Sequence, residues 1–511
     1  MNPDQYQEYS KTNPHSIWIE PTSRCNARCI HCHHHYKTFG TDMSSEVYHK
    51  IRDILLKDVR NVTLTGYGEP LMAEIFEEMF QDCIERKINV RIITNGILLP
   101  KGGTLERLAK GGATICLSID GARAETYEKI RPGIKWEKML DILNRIKMAV
   151  NTHGKADGFA LILHFVAMKQ NIDDLSDMVN LAHEYGANEV VVLPLQQEYY
   201  FEKVKGESLY DSPELVSVAY LRALERSRKY GILLTVPHFF REMIFKGKGG
   251  KQPMKTVLSG WTQKARYVLI QLRNKSASAL MKKITSVRKP KSGAGVIFCN
   301  MPWEASYFEA SGTVYPCCAQ GEEMGNLKDS PWNEIWNGSL YKNLRRTIHG
   351  WNPASLCRYC PLFFGINGGD PNRYDHYFSQ FKVKPVPLDS QGVRFQKDFF
   401  PLELKEDGSI SHLWMAKKGR IVLPMIPNAV FLRLITSPRF PMNKINPGYC
   451  RVNGREIQYF DNSCQNIHLP LEDVKEDRIE LDIEMEHAFK VGDDLRDLSL
   501  VIMGMEYLTN A

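Results

Sequence analysis

Three cysteines, Cys25, Cys29 and Cys32, stand as C-x3-C-x2-C, and a second group, Cys299, Cys317, Cys357 and Cys360, ends in C-x2-C. Thiols repeated at such short fixed spacing point to metal ligation. Three thiolates on one loop can hold three irons of a [4Fe–4S] cluster and leave the fourth iron open to an outside ligand, whereas four close the cluster and suit it to electron transfer. Zinc is the alternative at the first site, because His31, His33, His34 and His35 crowd the same loop and could complete a tetrahedral set. Of twelve cysteines in all, Cys83, Cys116, Cys450 and Cys464 stand alone in apolar surroundings and read as small core residues, while Cys318 adjoins Cys317 and is ambiguous.

A metal loop needs a rigid frame. Residues 15–196 alternate short apolar runs with amphipathic segments, the pattern of repeated βα units around a parallel sheet. Strands are expected at Ser16–Glu20, Asn61–Thr65, Asn89–Thr94, Thr114–Ile119, Phe159–Ala167 and Glu189–Leu195. Helices are expected between them at Ser44–Lys57, Met72–Arg86, Thr104–Lys110, Arg123–Ile130, Lys135–Asn151 and Asp173–Tyr185. Six such units suit a partly closed barrel or a doubly wound sheet, and right-handed crossovers gather the strand C-termini on one face where ligands bind. The cysteine triad follows the first strand, so it lies on that face, where Gly66–Pro70, Thr94–Gly96, Ser118–Gly121 and Pro194 also arrive.

The length of 511 residues and a hydrophobic content of 43% provide for several cored domains and exclude a short peptide or a disordered scaffold. No run of eighteen apolar residues occurs, and the polar start MNPDQYQEYSKTNP lacks the regions of a signal peptide, so a soluble, cytoplasmic protein is expected. In that reducing compartment the cysteines are not expected to form a disulfide framework.

The formal charge of +7 is local. Residues 197–298 break the βα pattern, and residues 241–292 carry fourteen Lys or Arg against one acid, Glu242, leaving the rest of the chain mildly acidic. This basic helical insertion or linker could lie on an anionic membrane surface at the inner face, bind a phosphorylated substrate, or be a solvated segment; no nucleic-acid partner is expected. Residues 299–375 hold the second cysteine group in a loop-rich module. From 383 to 511, short apolar runs separated by Pro, Gly and Asp turns read as a β-sandwich.

The cysteine triad after the first strand, followed by Gly66-Tyr67-Gly68-Glu69-Pro70 after the second, resembles the radical S-adenosylmethionine (SAM) superfamily over about residues 15–196. The resemblance implies a partial (β/α)6, TIM-like barrel and a [4Fe–4S] cluster whose open iron is chelated by SAM. It also implies a reductant such as flavodoxin or ferredoxin, and cleavage of SAM to methionine and a 5′-deoxyadenosyl radical that removes a substrate hydrogen atom. Gly66 and Gly68 would permit a tight turn and close approach to SAM, and Glu69 would accept from the methionine ammonium. Asn95 lies in a segment similar to the family's TNG loop, Ser118 and Asp120 in one near the methionine or ribose groups; Arg131 could pair with the SAM carboxylate, and the backbone around Leu195 would face adenine.

The arrangement C-x12-G-x4-C from Cys299 through Gly312 to Cys317, with Cys357-x2-Cys360 after it, resembles the auxiliary-cluster extension called SPASM, in its shorter, twitch form. It implies one auxiliary [4Fe–4S] cluster held by Cys299, Cys317, Cys357 and Cys360; a structural zinc knuckle is the alternative. Full ligation implies electron transfer and an oxidation. The neighbouring thiol of Cys318 offers a rival, hydrogen-atom donation that inverts a stereocentre, as in an epimerase. On short strings such as FLRLITSPRF and LSLVIMGM, residues 410–508 resemble β-sandwich domains of bacterial sugar-transferring and surface-polysaccharide proteins. With the basic segment, this makes a phosphorylated or lipid-linked sugar the expected small-molecule substrate. A peptide- or protein-modifying maturase and a non-catalytic cluster-binding protein are the alternatives.

Overall fold

The computed structural model describes residues 8–32, 40–154, 158–195, 202–209, 212–237, 299–319, 322–348, 350, 352–354, 357, 360, 382–389, 392–396, 399–400, 403–404, 410–437, 446–454, 457–461, 464, 466–471, 474–488 and 499–509. The basic stretch 241–292, with its expected membrane or substrate contact, lies outside the described residues, as do His33, His34 and His35. Among the described residues, no helix is long and apolar enough to cross a membrane.

The βα alternation becomes a parallel sheet. Strands β1 (Ser16–Ile19), β2 (Asn61–Leu64), β3 (Asn89–Thr94), β4 (Thr114–Ser118), β5 (Ala160–Ala167) and β6 (Glu189–Pro194) lie side by side in chain order. Between them run helices α1 (Ser45–Leu55), α2 (Phe76–Glu85), α3 (Thr104–Lys110), α4 (Ala124–Ile130), α5 (Trp136–His153) and α6 (Leu175–Glu184). The helices form for local reasons: Ser44 caps α1 by accepting from Val47 N at 3.3 Å, and Val47, Tyr48, Ile51 and Leu55 recur on its buried side. One residue in two of each strand, such as Ile17 and Ile19 or Val190 and Val192, packs under this helical layer in the largest core.

Two features depart from the expected outline. The alternation continues beyond Leu195: helix α7 (Pro213–Tyr230) leads into β7 (Leu233–Thr235), parallel to β6, so residues 213–235 extend the sheet instead of belonging to a linker. The second cysteine module is not a separate loop-rich body either. Its strands β8 (Ala305–Phe308), β9 (Thr313–Tyr315) and β10 (Gly325–Asn326) continue the same sheet beyond β1, giving the order β10-β9-β8-β1-β2-β3-β4-β5-β6-β7. Strand β8 runs parallel to β1 with Ile19 opposite Phe308, so Cys299, before β8, and Cys317, after the antiparallel β9, lie toward the strand end opposite to the one that Cys25–Cys32 follow. The edge of β1 offered free N–H and C=O groups, and β8 satisfies them.

The C-terminal part is an antiparallel sandwich. One sheet holds β13 (Glu403–Leu404), β14 (Ile410–Met415), β21 (Leu500–Thr509), β16 (Ala429–Thr436) and β19 (Asn466–Pro470), with β11 (Lys382–Val386) also on β21. The other holds β12 (Arg394–Gln396), β15 (Lys418–Pro424), β20 (Arg478–Met485), β17 (Pro447–Val452) and β18 (Ile457–Asp461). Leu432, Leu434 and Ile467 of the first meet Ile421, Leu481 and Phe460 of the second in one core. Asn352 joins this unit to the cysteine module, donating to His468 O at 3.0 Å and accepting from His468 N at 2.7 Å. Cys83, Cys116, Cys450 and Cys464 are all buried.

Candidate active site

The segment after β1 carries Cys25, Cys29 and Cys32 across the end of the sheet. It is held down by Ile30, whose N–H donates to Ile130 O at 3.0 Å and whose side chain packs with Ile130, Met168, Leu195 and Val204. Cys29 is buried, while Cys25 and Cys32 are half-buried. The thiols lie near enough to raise one another's proton affinity; burial is the larger cause and pushes Cys29 up to about 12, against the pull of Arg131. A buried thiol is therefore protonated unless a cation stabilises its thiolate, and iron is such a cation.

The Gly66–Pro70 loop lies directly on this segment. A Cβ at Gly68 would stand 2.2 Å from Thr22 O and 2.5 Å from Arg24 O, and one at Gly66 would stand 2.3 Å from Glu20 Cγ. The glycines thus serve close packing of loop on loop. Glu69 N donates to Arg24 O at 2.8 Å, and the buried Glu69 carboxylate accepts from Thr94 Oγ1 at 2.6 Å and Asn95 N at 2.7 Å. Pro70 is buried and opens the short turn Pro70–Met72. Asn95 in turn donates to Asn26 Oδ1 at 2.7 Å and reaches Cys25 Sγ at 3.9 Å. Glu69 and Asn95 therefore bind the loop network to the cysteine segment.

Asp120 and Arg131, expected against SAM, are turned to each other. Arg131 NH2 lies 2.6 Å from Asp120 Oδ2, and Arg131 NH1 donates to Cys29 Sγ at 3.3 Å. Asp120 Oδ1 accepts from Val166 N at 2.9 Å, and His31 Nε2 stands 3.6 Å from Oδ2. Burial opposes both charges, but each outweighs that cost for the other: the carboxyl is held below, and the guanidinium above, its ordinary range. A buried carboxylate and guanidinium must pair. Ser118, half-buried at the end of β4, stands in register with His164 on β5, and Leu195 contributes its side chain to the apolar support of the cysteine segment.

The second group shares one pocket. Cys299, Cys317, Cys357 and Cys360 line it, and its other walls are Met301, Pro302, Pro316, Ala319, Leu344 and Ile348. Burial raises the thiols of Cys299, to about 12, and of Cys317 and Cys357. Among the described residues no three His, Cys, Asp or Glu side chains are grouped closely enough to hold a metal ion; the four cysteines share the lining of one pocket. Four cysteines on one apolar-walled pocket are the donor set that a fully ligated cluster needs. Cys318 is exposed and outside that lining. Arg345 braces the wall, donating to Pro302 O at 2.9 Å and stacking 4.5 Å from the Trp336 ring.

Three residues escaped the sequence reading. Glu20 is buried at the end of β1 and accepts from Tyr67 N and Ala310 N. Asn171 is buried and donates to both Asp120 O and Val166 O at 2.9 Å, shaping the turn after β5. His164 is kept uncharged by burial first and by Arg91 second, its pKa lowered to about 4. An acid closing the apolar run SIWIE was the one signal in sequence; Asn171 and His164 had none.

Comparison with known proteins agrees with this geometry. Residues 19–192 match the radical SAM superfamily, and residues 299–361 match SPASM, an iron-sulfur cluster-binding domain. An AdoMet-dependent heme synthase of Methanosarcina barkeri is 24% identical over 68% of this chain and 89% of its own. A PqqA peptide cyclase of Granulibacter bethesdensis is 27% identical over 49% of this chain and 64% of its own. Streptococcus suis SuiB bound to precursor peptide SuiA is 18% identical with a TM-score of 0.46, covering 66% of this chain and 69% of that one. A radical SAM domain implies a [4Fe–4S] cluster and SAM, and a SPASM domain implies auxiliary iron–sulfur clusters. The chain is a radical SAM protein with a SPASM domain.

Proposed function

We propose that this protein is a radical SAM enzyme that modifies a peptide or protein side chain, with Cys25, Cys29 and Cys32 holding the SAM cluster. In this reading Cys299, Cys317, Cys357 and Cys360 hold one auxiliary cluster. The observation that carries the chemistry is the pairing of a three-thiol segment, packed under the Gly66–Pro70 loop, with a four-thiol pocket on the same sheet. When bound, the cluster and SAM supply an electron and a 5′-deoxyadenosyl radical. This chain's residues do the rest: Glu69 and Asn95 tie the Gly66–Pro70 loop to the cysteine segment, and Arg131 sets a positive charge against Cys29. Leu195 and Ile30 close the apolar support beneath it.

The peptide class rests on the likeness to the PqqA peptide cyclase and outweighs the sugar expected from sequence strings. A second reading, tetrapyrrole modification, is favoured by the extent of the match to the heme synthase, which spans 89% of that relative. Oxidation and epimerisation remain alternatives for the outcome on the substrate. Anaerobically reconstituted protein given dithionite and SAM is expected to release 5′-deoxyadenosine; its absence overturns the enzyme reading. Mass change of a co-encoded short peptide, against none with iron-coproporphyrin, is the expected result for the peptide class, and the converse overturns it.

A further inference from the structure

The sheet joins the SAM domain to the auxiliary module through β1 and β8, and one side chain sits at the top of that seam. Glu20 follows β1 and is 1% exposed. Its Oε1 accepts from Tyr67 N at 2.6 Å, and its Oε2 accepts from Ala310 N at 3.1 Å. Tyr67 belongs to the Gly66–Pro70 loop, and Ala310 opens the turn from β8 to β9, which leads on to Cys317. Its own N–H donates to Phe308 O at 2.8 Å, so main chain and side chain both reach across the seam. Gly66 is what admits the carboxylate, since a Cβ there would overlap Glu20 Cγ and Oε1.

We propose that Glu20 is a positioning residue for the radical SAM reaction: its two carboxylate oxygens lock the Gly66–Pro70 loop and the auxiliary module's first turn together. The carboxylate thus adds a side-chain tie to the β1–β8 pairing that joins the two modules. A carboxylate is the group whose two oxygens both accept without donating. Glutamine keeps the shape but turns an NH2 toward one of the two N–H donors, so it breaks one bond and strains the other. This inference rests on reading the two cysteine groups as cluster sites, and its test has a part independent of that reading.

The test is Glu20→Gln in the full-length chain. In cofactor-free protein, hydrogen exchange is expected to accelerate about tenfold or more in both the segment containing Tyr67 and the one containing Ala310. Wild-type protection in either segment overturns the lock, whether or not the wild type makes 5′-deoxyadenosine. In reconstituted protein with the full iron content of the wild type, the SAM-induced change in the spectrum of the reduced cluster is expected to need at least tenfold more SAM. An unchanged SAM dependence overturns the positioning role, even where exchange has accelerated. Glu20→Asp, one methylene shorter with the same two oxygens, is expected to restore protection to one segment at most; restoration of both overturns the reach assigned to the Glu20 side chain.

Discussion

Arg131 donates to the sulfur of Cys29 at 3.3 Å while its other terminal nitrogen lies 2.6 Å from Asp120 Oδ2. One buried cation thus serves both the Cys29 sulfur and the Asp120 carboxylate. A lysine has one ammonium and cannot reproduce that fork. Arg131→Gln strands the Asp120 charge and is expected to cost about 3–5 kcal/mol, seen as a lowered Tm. Arg131→Lys is expected to reconstitute with roughly four fewer irons per chain, because the SAM cluster is lost and the auxiliary one retained; iron analysis checks it.

The auxiliary pocket separates Cys317 from its neighbour. Replacing Cys299, Cys317, Cys357 or Cys360 by Ala is expected to remove about four irons per chain and the corresponding reduced-cluster signal. Cys318→Ala is expected to leave iron content unchanged, since that residue is outside the pocket lining. Inversion of a product stereocentre that survives Cys318→Ala would exclude this thiol as the hydrogen-atom donor.

Gly68→Ala introduces a Cβ 2.2 Å from the Thr22 carbonyl oxygen, which is backbone and cannot swing aside. The Gly66–Pro70 loop must lift off the cysteine segment, at about 1–3 kcal/mol of stability. SAM affinity is expected to fall at least tenfold by isothermal titration under anaerobic conditions, with the auxiliary cluster intact.

His164 carries a pH signature. Unfolded, its imidazole takes a proton near 6.5; folded, burial and Arg91 delay protonation to about 4. Between those values the unfolded chain binds the extra proton, so this group withdraws stability as pH falls from 6.5 toward 4 and none above 6.5. His164→Gln is expected to lessen the loss between pH 7 and pH 4.5 by up to about 2 kcal/mol in cofactor-free protein, measured by urea unfolding.

The sequence was most legible where local spacing carries the chemistry. β3 and α3 have the expected bounds, Asn89–Thr94 and Thr104–Lys110, because period and turn residues mark them without help from distant contacts. Helix α7 and strand β7 were missed because the basic run beyond them dominated the composition of that stretch. The side-chain partners were least legible: nothing in the spacing announced that Glu69 accepts from Thr94, that Asp120 and Arg131 pair, or that Arg131 donates to Cys29. Partner choice for a buried charge depends on what lies within a few ångströms, which spacing along the chain does not report.

By itself, then, the sequence determined the two thiol groups, the glycine-rich loop above the first and the parallel frame under both, since each follows from neighbours close in the chain. Only the tertiary structure decided that the auxiliary module's β8 completes the edge of β1 and that Glu20 faces both Tyr67 and Ala310. Ala310 is 290 residues from Glu20, and pairing over that distance is chosen by the unsatisfied edge of a folded sheet and by burial of a carboxylate needing two donors.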